Sequence, residues 1–432
     1  MTLAPADSAA ASVANVPAYC EDLTARAQAA KQALASVPGA QRDRALRSIA
    51  QGIRDAESSL RKANALDLDA GRSAGLSSAM FDRLELTPKR IESIALALEQ
   101  IAGQPDPLGR VMDGRVLPNG IRLEKRRVAI GVVLIIFESR PNVTADAAAL
   151  CLKAGNAAIL RGGKEAAHSN RALADCVRAG LVDAGLPGDA VQLVGTTDRS
   201  AVGELLNKTG RIDMAIPRGG KSLISAVVEQ ARIPVVKHYD GNCHVYVDAS
   251  ADHDMAHAIC LNAKTQRTGV CNAAETILFH ADTAQRGLAK RVLDALIDAG
   301  VEVRGDARVC AEASRAKPAA EADWTTEYLD MIVAARVVDD LHQAVEHINH
   351  YGSKHTDAIV TSRLDAADAF VQAVDTANAM VNCSTRFSDG QEYGLGAEIG
   401  ISTDKLHARG PMGAEDLTTY QWVLHGNGQV RG

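Results

Sequence analysis

The apolar positions of this chain change rhythm near residue 106. Before it, from about 21, they recur at helical spacing; in KRIESIALALEQI the residues Ile91, Ile94, Ala95, Leu98 and Ile101 line one face. That region reads as an α-helical lead-in. Between 106 and 128, DPLGRVMDGRVLPNGIRLEKRR is punctuated by Pro, Gly and Asn, which predicts short β pieces and a hairpin standing off the main body. Continuous apolar runs at AIGVVLIIF (129–137) and NAAILR (156–161) then predict strands covered on both faces, with helical stretches at 143–154 and 165–184. AVQLV and RIDMAI continue the series. A second series starts at HVYV (244–247), passes through a helix to about 268, ETILFH and a helix at 283–299, and runs on to NAMVNC. Such alternation predicts parallel sheets with helices on both faces, here as two consecutive α/β domains. The last twenty residues or so read as an exposed strand suited to an oligomer contact.

Composition narrows the partners. The 432 residues are 47% hydrophobic and 23% charged, an ordinary globular balance with length for two or three domains. Net charge is −6, aromatics are 3% and no basic stripe is interleaved with them, which argues against nucleic acid and acidic membrane surfaces as partners. The eight cysteines show no C-x-x-C pair and no Cys/His cluster at zinc spacing, so they are expected as thiols in a reducing compartment, with no metal. The N-terminal MTLAPADSAAASVANVPAYC has neither a basic start nor a sustained apolar stretch, and no run approaches the roughly 20 apolar residues of a spanning helix. A cytoplasmic protein is expected.

Ligands of α/β sheets bind outside the carboxyl ends of strands, so the residues directly after strands carry most information. After NAAIL comes RGGKEAAHSN and after RIDMAI comes PRGGKSLI, each with two glycines and basic residues between a strand and a helix. Backbone N–H groups and the helix dipole favour an anion there. Neither loop fits G-x-G-x-x-G, but two in one sheet favour a phosphorylated ligand. Arg161, Gly162, Gly163 and Lys164 form the first loop, Arg218, Gly219 and Gly220 the second. Where an NAD site offers an acidic residue to the ribose, this strand end offers Arg161 and Lys164, which suit a 2′-phosphate and favour NADP.

QRTGVCNAAET (266–276) places Cys271 between a turn-prone Thr-Gly and a strand. Together with FESRPNVTADAAALCLKAGNAAILRGGKEAAHSN, IDMAIPRGG, VNCSTRFSDGQEYGLGAEIGIST and KLHARGPMGAEDLTTY, it resembles the aldehyde dehydrogenase superfamily, within it the branch that reduces an acyl phosphate. The resemblance runs from about 20 to 425. It implies two Rossmann-type α/β domains plus a small β oligomerisation element: a helical lead-in and first part of the NADP-binding domain over 1–113, the oligomerisation hairpin at 114–128, the rest of the NADP-binding domain at 129–242, a catalytic domain at 243–384, and a return segment with a C-terminal oligomerisation strand at 385–432. It also implies NADPH-dependent reduction of L-glutamyl 5-phosphate to L-glutamate 5-semialdehyde and phosphate, the second step of proline biosynthesis.

In this resemblance Cys271 falls on the nucleophile and Glu327, in TEYLD, on a glutamate that holds the nicotinamide ribose. Two departures stand out. The hydrolytic members' water-activating glutamate is replaced by His238, as suits a thioester that must not be hydrolysed. Their oxyanion-binding asparagine is replaced by Ser139, with Asn142 as a second candidate donor. A cysteine nucleophile holds the acyl group in one geometry for hydride transfer. Arg140 and Arg386 are candidates for the phosphate and the α-carboxylate, with Ser384 and Thr385 donating hydrogen bonds beside Arg386. A CoA-acylating or hydrolytic aldehyde dehydrogenase is the alternative activity. A homo-oligomer is implied, and a glutamate 5-kinase is a plausible transient partner because glutamyl phosphate is labile. His253, His257, His342, His347, His350 and His355 read as solvated residues of helix faces or the loops after them, and His407 and Arg409 as part of a turn before Pro411.

Overall fold

The computed structural model describes residue 13 and residues 15–431; most of the N-terminal stretch read above for a leader lies outside the described residues. Two compact units form. One comprises the described residues up to Lys237 with Gly394–Gly400 and the residues from Met412 on; the other comprises His238–Tyr393 and Ile401–Pro411.

The first unit opens with helices Val16–Leu34, Gly39–Asp55, Glu57–Ser73, Ser78–Leu84 and Pro88–Gly103. The last shows why the lead-in is helical. The Thr87 side chain accepts the Arg90 N–H, Pro88 sits in the first turn where no N–H is missed, and Ile91, Ile94, Ala95, Leu98 and Ile101 are buried. A four-stranded parallel sheet follows in the order Val191–Leu193, Ala157–Gly162, Val132–Phe137, Met214–Arg218. All of Val132–Phe137 is buried, as a strand covered on both faces must be.

The apolar run at 129–137 is not one strand. Gly131 interrupts it at φ 139°, and a Cβ there would lie 2.0 Å from an Asp213 carboxylate oxygen. That oxygen accepts the Val132 N–H at 2.7 Å instead. Ala129 ends a different strand, Arg122–Ala129, which pairs antiparallel with Val111–Val116 on one side and Thr418–His425 on the other. The hairpin therefore starts at Val111 rather than 114, and the C-terminal strand completes its sheet.

The second unit is built on a seven-stranded sheet in the order Lys317–Pro318, Glu302–Gly305, Ile332–Val338, Ala274–His280, Cys243–Val247, Thr356–Val360, Asn378–Val381, every pairing parallel. The expected helix at 283–299 is two, Ala281–Gln285 and Leu288–Asp298, because Gly287 takes φ 74° between them. Among the described residues no helix is long and apolar enough to cross a membrane.

Candidate active site

In the four-stranded sheet the strand order reverses between Val132–Phe137 and Met214–Arg218, and the register sets Phe137 level with Gly162 and Arg218. A reversal of this kind opens a crevice at the carboxyl ends. The loops leaving it are built around glycines. A Cβ on Gly162 would lie 2.1 Å from Asn170 Nδ2, on Gly163 2.0 Å from Glu165 Oε1, and on Gly219 2.4 Å from Glu138 Oε2. Glu138 also accepts the Gly220 N–H at 3.1 Å, tying two loops together. Arg161 is half-buried and donates to the carbonyls of Gly162 at 3.0 Å and Thr197 at 3.4 Å. Burial holds its pKa below the ordinary arginine value, so a bound anion would offset a cost already present. Lys164 is exposed at the start of the short 3₁₀ turn Lys164–Ala166, and Arg218 lies 3.6 Å from Glu398. The glycine cradle and its cations fit a phosphate-bearing cofactor.

Glu165 turns inward and accepts the Ser139 N–H at 2.6 Å and the Ser139 hydroxyl at 2.9 Å. A serine hydroxyl has one proton to give. In this arrangement the Ser139 hydroxyl proton is directed at Glu165. Asn142 gives one amide proton to Asp146 at 2.8 Å and retains a second. Arg140 lies in the same loop, its carbonyl accepting the Val143 N–H at 3.0 Å.

In the seven-stranded sheet the reactive side chains lie at the opposite end, ahead of the first strand residues. Cys271 precedes Ala274–His280, His238 and Gly241 precede Cys243–Val247, and His355 precedes Thr356–Val360. Parallel register sets Cys243 beside Ala274 and His244 beside Asp357. As a result Cys271 Sγ and one ring nitrogen each of His238 and His355 lie within 4.8 Å of one another. His355 is fully buried; Cys271 and His238 are half-buried. His238 Nδ1 is 2.8 Å from the Ile401 carbonyl oxygen, which only accepts, so Nδ1 carries the ring proton. His355 Nδ1 is 2.8 Å from Thr356 Oγ1. The expectation that His355 is a solvated residue is overturned.

Three supports hold the Cys271 turn. The buried Cys243 thiol donates to the Cys271 carbonyl at 3.1 Å, and burial pushes its pKa well above the usual thiol value, so it stays protonated. Gly241 packs so closely that a Cβ would lie 1.9 Å from the same carbonyl oxygen, while its N–H donates to Glu327 Oε1 at 2.9 Å. Thr385 is fully buried and gives its hydroxyl proton to the Asn272 carbonyl at 2.7 Å. Thr385 thus braces the turn. Ser384 Oγ accepts the Arg386 N–H at 3.3 Å, and Arg386 Nε donates to Gln266 at 2.8 Å. Burial lowers the Arg386 pKa, and the nearby Asp389 and Cys271 work against that shift.

Just past the turn, Lys264 and Glu275 meet at 2.5 Å with both side chains fully buried, and Glu275 accepts the Leu329 N–H at 3.2 Å. Burial pushes the Glu275 carboxyl up to about 7 and the Lys264 ammonium down. Elsewhere, His347 is buried against Trp324, His244 and Tyr351, and burial drives its pKa down to about 2. It too departs from the solvated reading, whereas His342 and His350 are exposed. Arg409, Lys405 and Lys354 converge on the Asp375 carboxylate at 2.7, 3.0 and 3.0 Å.

The sequence singled out Cys271, Arg386, Ser384 and Thr385, and the structure brings them into one unit with Glu327. It had not marked His355, Cys243 or Gly241. Glycine directly ahead of an apolar run, in DGNCHVYV, is the one signal for close backbone approach that the sequence carried.

The chain matches the model of the aldehyde dehydrogenase family over residues 6–310. It is 52% identical over 417 residues to a gamma-glutamyl phosphate reductase of Paramagnetospirillum magneticum, covering 96% of this chain and 98% of that one. The crystal structure of a gamma-glutamyl phosphate reductase from Thermotoga maritima superposes with a TM-score of 0.93 at 40% identity, covering 96% and 100% of the two chains. An acetylating aldehyde dehydrogenase of Geobacillus thermoglucosidasius shares the fold at 16% identity, with a TM-score of 0.67 and coverage of 96% and 98%. The fold is that of the aldehyde dehydrogenases, and the chain is an oxidoreductase. This chain belongs to the aldehyde dehydrogenase family, within its gamma-glutamyl phosphate reductase branch.

Proposed function

We propose that the protein reduces L-glutamyl 5-phosphate to L-glutamate 5-semialdehyde and phosphate at the expense of NADPH, in proline biosynthesis, through a thioester on Cys271. The observation that carries this reading is the pair of imidazoles, rather than a carboxylate, gathered around the half-buried Cys271 thiol. A neighbouring imidazole takes the thiol proton. The thiolate attacks the γ-carbonyl, the acyl C–O bond breaks and phosphate leaves with the electron pair. Bound NADPH supplies the hydride that reduces the thioester. The resulting thiohemiacetal oxyanion expels the Cys271 thiolate, the aldehyde forms, and the thiolate reclaims its proton from the imidazolium. Asn142 and backbone N–H groups of the Cys271 turn are the oxyanion donors in this scheme; one such donor is worth roughly 10²–10³ in rate.

Arg161 and Lys164 hold the cofactor 2′-phosphate, and Gly162, Gly163, Arg218, Gly219 and Gly220 give its phosphates close backbone approach. Glu327, whose Oε1 accepts the Gly241 N–H, holds the nicotinamide ribose in this scheme. Arg140 and Arg386 pair with the leaving phosphate and the α-carboxylate, and Ser384 adds a hydroxyl. The antiparallel sheet exposes Val116, Tyr420, Trp422 and Leu424, which supports its use as a contact between copies of the chain. A glutamate 5-kinase is the transient partner that would deliver the labile substrate.

Replacing Cys271 with Ala abolishes turnover and leaves NADPH binding, read by nicotinamide fluorescence, unchanged. Near-normal turnover by that variant would refute the thioester route.

A further inference from the structure

We propose that His238, Cys271 and His355 form a three-ligand site for a borderline-soft divalent cation such as Zn²⁺, whose binding removes the nucleophile from catalysis. The three donor atoms lie within 4.8 Å of one another. Zinc–sulfur and zinc–nitrogen bonds of about 2.3 and 2.0–2.1 Å in a tetrahedron set such donors roughly 3.3–3.6 Å apart. The donors therefore need to close by at most roughly 1–1.5 Å, a displacement of the size that small side-chain torsion changes supply.

A second observation concerns how the imidazoles are held. Metal-binding histidines characteristically donate the ring N–H that is not ligated to a carbonyl or another fixed acceptor, which sets the tautomer and aims the lone pair. His238 does this through Nδ1 to the Ile401 carbonyl at 2.8 Å, leaving its lone pair on Nε2. His355 is anchored through Nδ1 beside Thr356 Oγ1 at 2.8 Å. The two rings meet edge-on, with centroids 5.5 Å apart and planes at 70°, so they converge rather than stack. Two neutral imidazoles and one thiolate are the donors of a zinc site with one position left open.

Binding exchanges the Cys271 thiol proton for the metal: the S–H bond breaks, a sulfur–metal bond forms and one proton goes to solvent. Arg386 is electrostatically coupled to Cys271 and opposes a cation, so affinity falls below that of a closed four-ligand site. The inhibitory consequence rests on Cys271 being the nucleophile; the binding itself does not.

Co²⁺ replaces Zn²⁺ as a visible probe. Chelator-treated full-length protein titrated with Co²⁺ is expected to show a sulfur-to-cobalt band in the near ultraviolet and tetrahedral bands in the visible, at one metal per chain, with Zn²⁺ displacing them. H238Q and H355Q each weaken this binding by at least about 10–100-fold, and C271S removes the sulfur band. Because His355 is buried, H238Q serves as the variant of a half-buried residue if H355Q does not fold. Absence of the bands at millimolar Co²⁺, or bands unchanged in H238Q and C271S, would overturn the site. Bands lost in these variants without any phosphate-linked turnover in wild type would uphold the site and fault the proposed reaction instead.

Discussion

The two parallel sheets of this protein use opposite ends. In the four-stranded sheet the glycine loops follow the strands, at the carboxyl edge where the order reverses. In the seven-stranded sheet Cys271, His238 and His355 precede the strands, at the amino edge. The carboxyl edge is where helix N-termini offer N–H groups, which suits a phosphate. The amino edge offers no such general device, so its chemistry is assembled from side chains and from one tightly packed backbone contact, Gly241 on the Cys271 carbonyl.

That difference predicts how each end breaks. The largest loss, apart from replacing the nucleophile, comes from Gly241→Ala. Its Cβ would lie 1.9 Å from backbone that cannot swing aside, and a nucleophile displaced by about 1 Å costs on the order of 10²-fold in kcat. Gly162→Ala meets the end of the Asn170 side chain at 2.1 Å, and is expected to act on the KM for NADPH while kcat is largely kept. Equal effects of the two substitutions on kcat would remove the distinction between the two ends.

Next in size is Lys264→Met. It leaves Glu275 buried without its partner, and should lower stability by about 3–5 kcal/mol, read by chemical denaturation. Arg161→Ala is expected to raise the KM for NADPH by about 10-fold and to narrow its preference over NADH, with kcat nearly unchanged. An unchanged preference would remove Arg161 from the cofactor site.

The smallest effect is one of pH. A hydrogen-bonded ion pair with Arg409, together with Lys405 and Lys354, holds the Asp375 carboxyl well below the ordinary carboxylate range. A depressed folded-state pKa gives stability that is present above the unfolded value of about 4 and is lost as pH falls toward the folded value. Asp375→Asn should therefore reduce the loss of stability on acidification below about pH 4 and leave the slope near neutrality unchanged, as equilibrium unfolding at several pH values would show.

Much of this was legible in the sequence. Strand-helix alternation, the glycine loops and Cys271 are local patterns, and period and turn chemistry are local properties. What was not legible depends on register between distant segments. His355 reaches Cys271 only because parallel pairing sets their strands near one another in the sheet, and Thr418–His425 joins a hairpin strand that lies 289 to 303 residues earlier in the chain. The destinations of the Ser139 and Thr385 hydroxyl protons, Glu165 and the Asn272 carbonyl, were not legible because each is a tertiary contact. His347 was open to inference: it shares a helix face with the buried Ala344 and Ile348. The run at 129–137 misled because apolar composition hid the break at Gly131.

The proposed reaction requires that Cys271 exchange its acyl group with phosphate. The direct measurement is reduction of NADP⁺ by purified protein given L-glutamate 5-semialdehyde, with inorganic phosphate, with CoA, or with neither. A rise in nicotinamide absorbance that requires phosphate is expected. Equal rates without phosphate would mean that water completes the reaction, and dependence on CoA would mean an acylating dehydrogenase; either would contradict it.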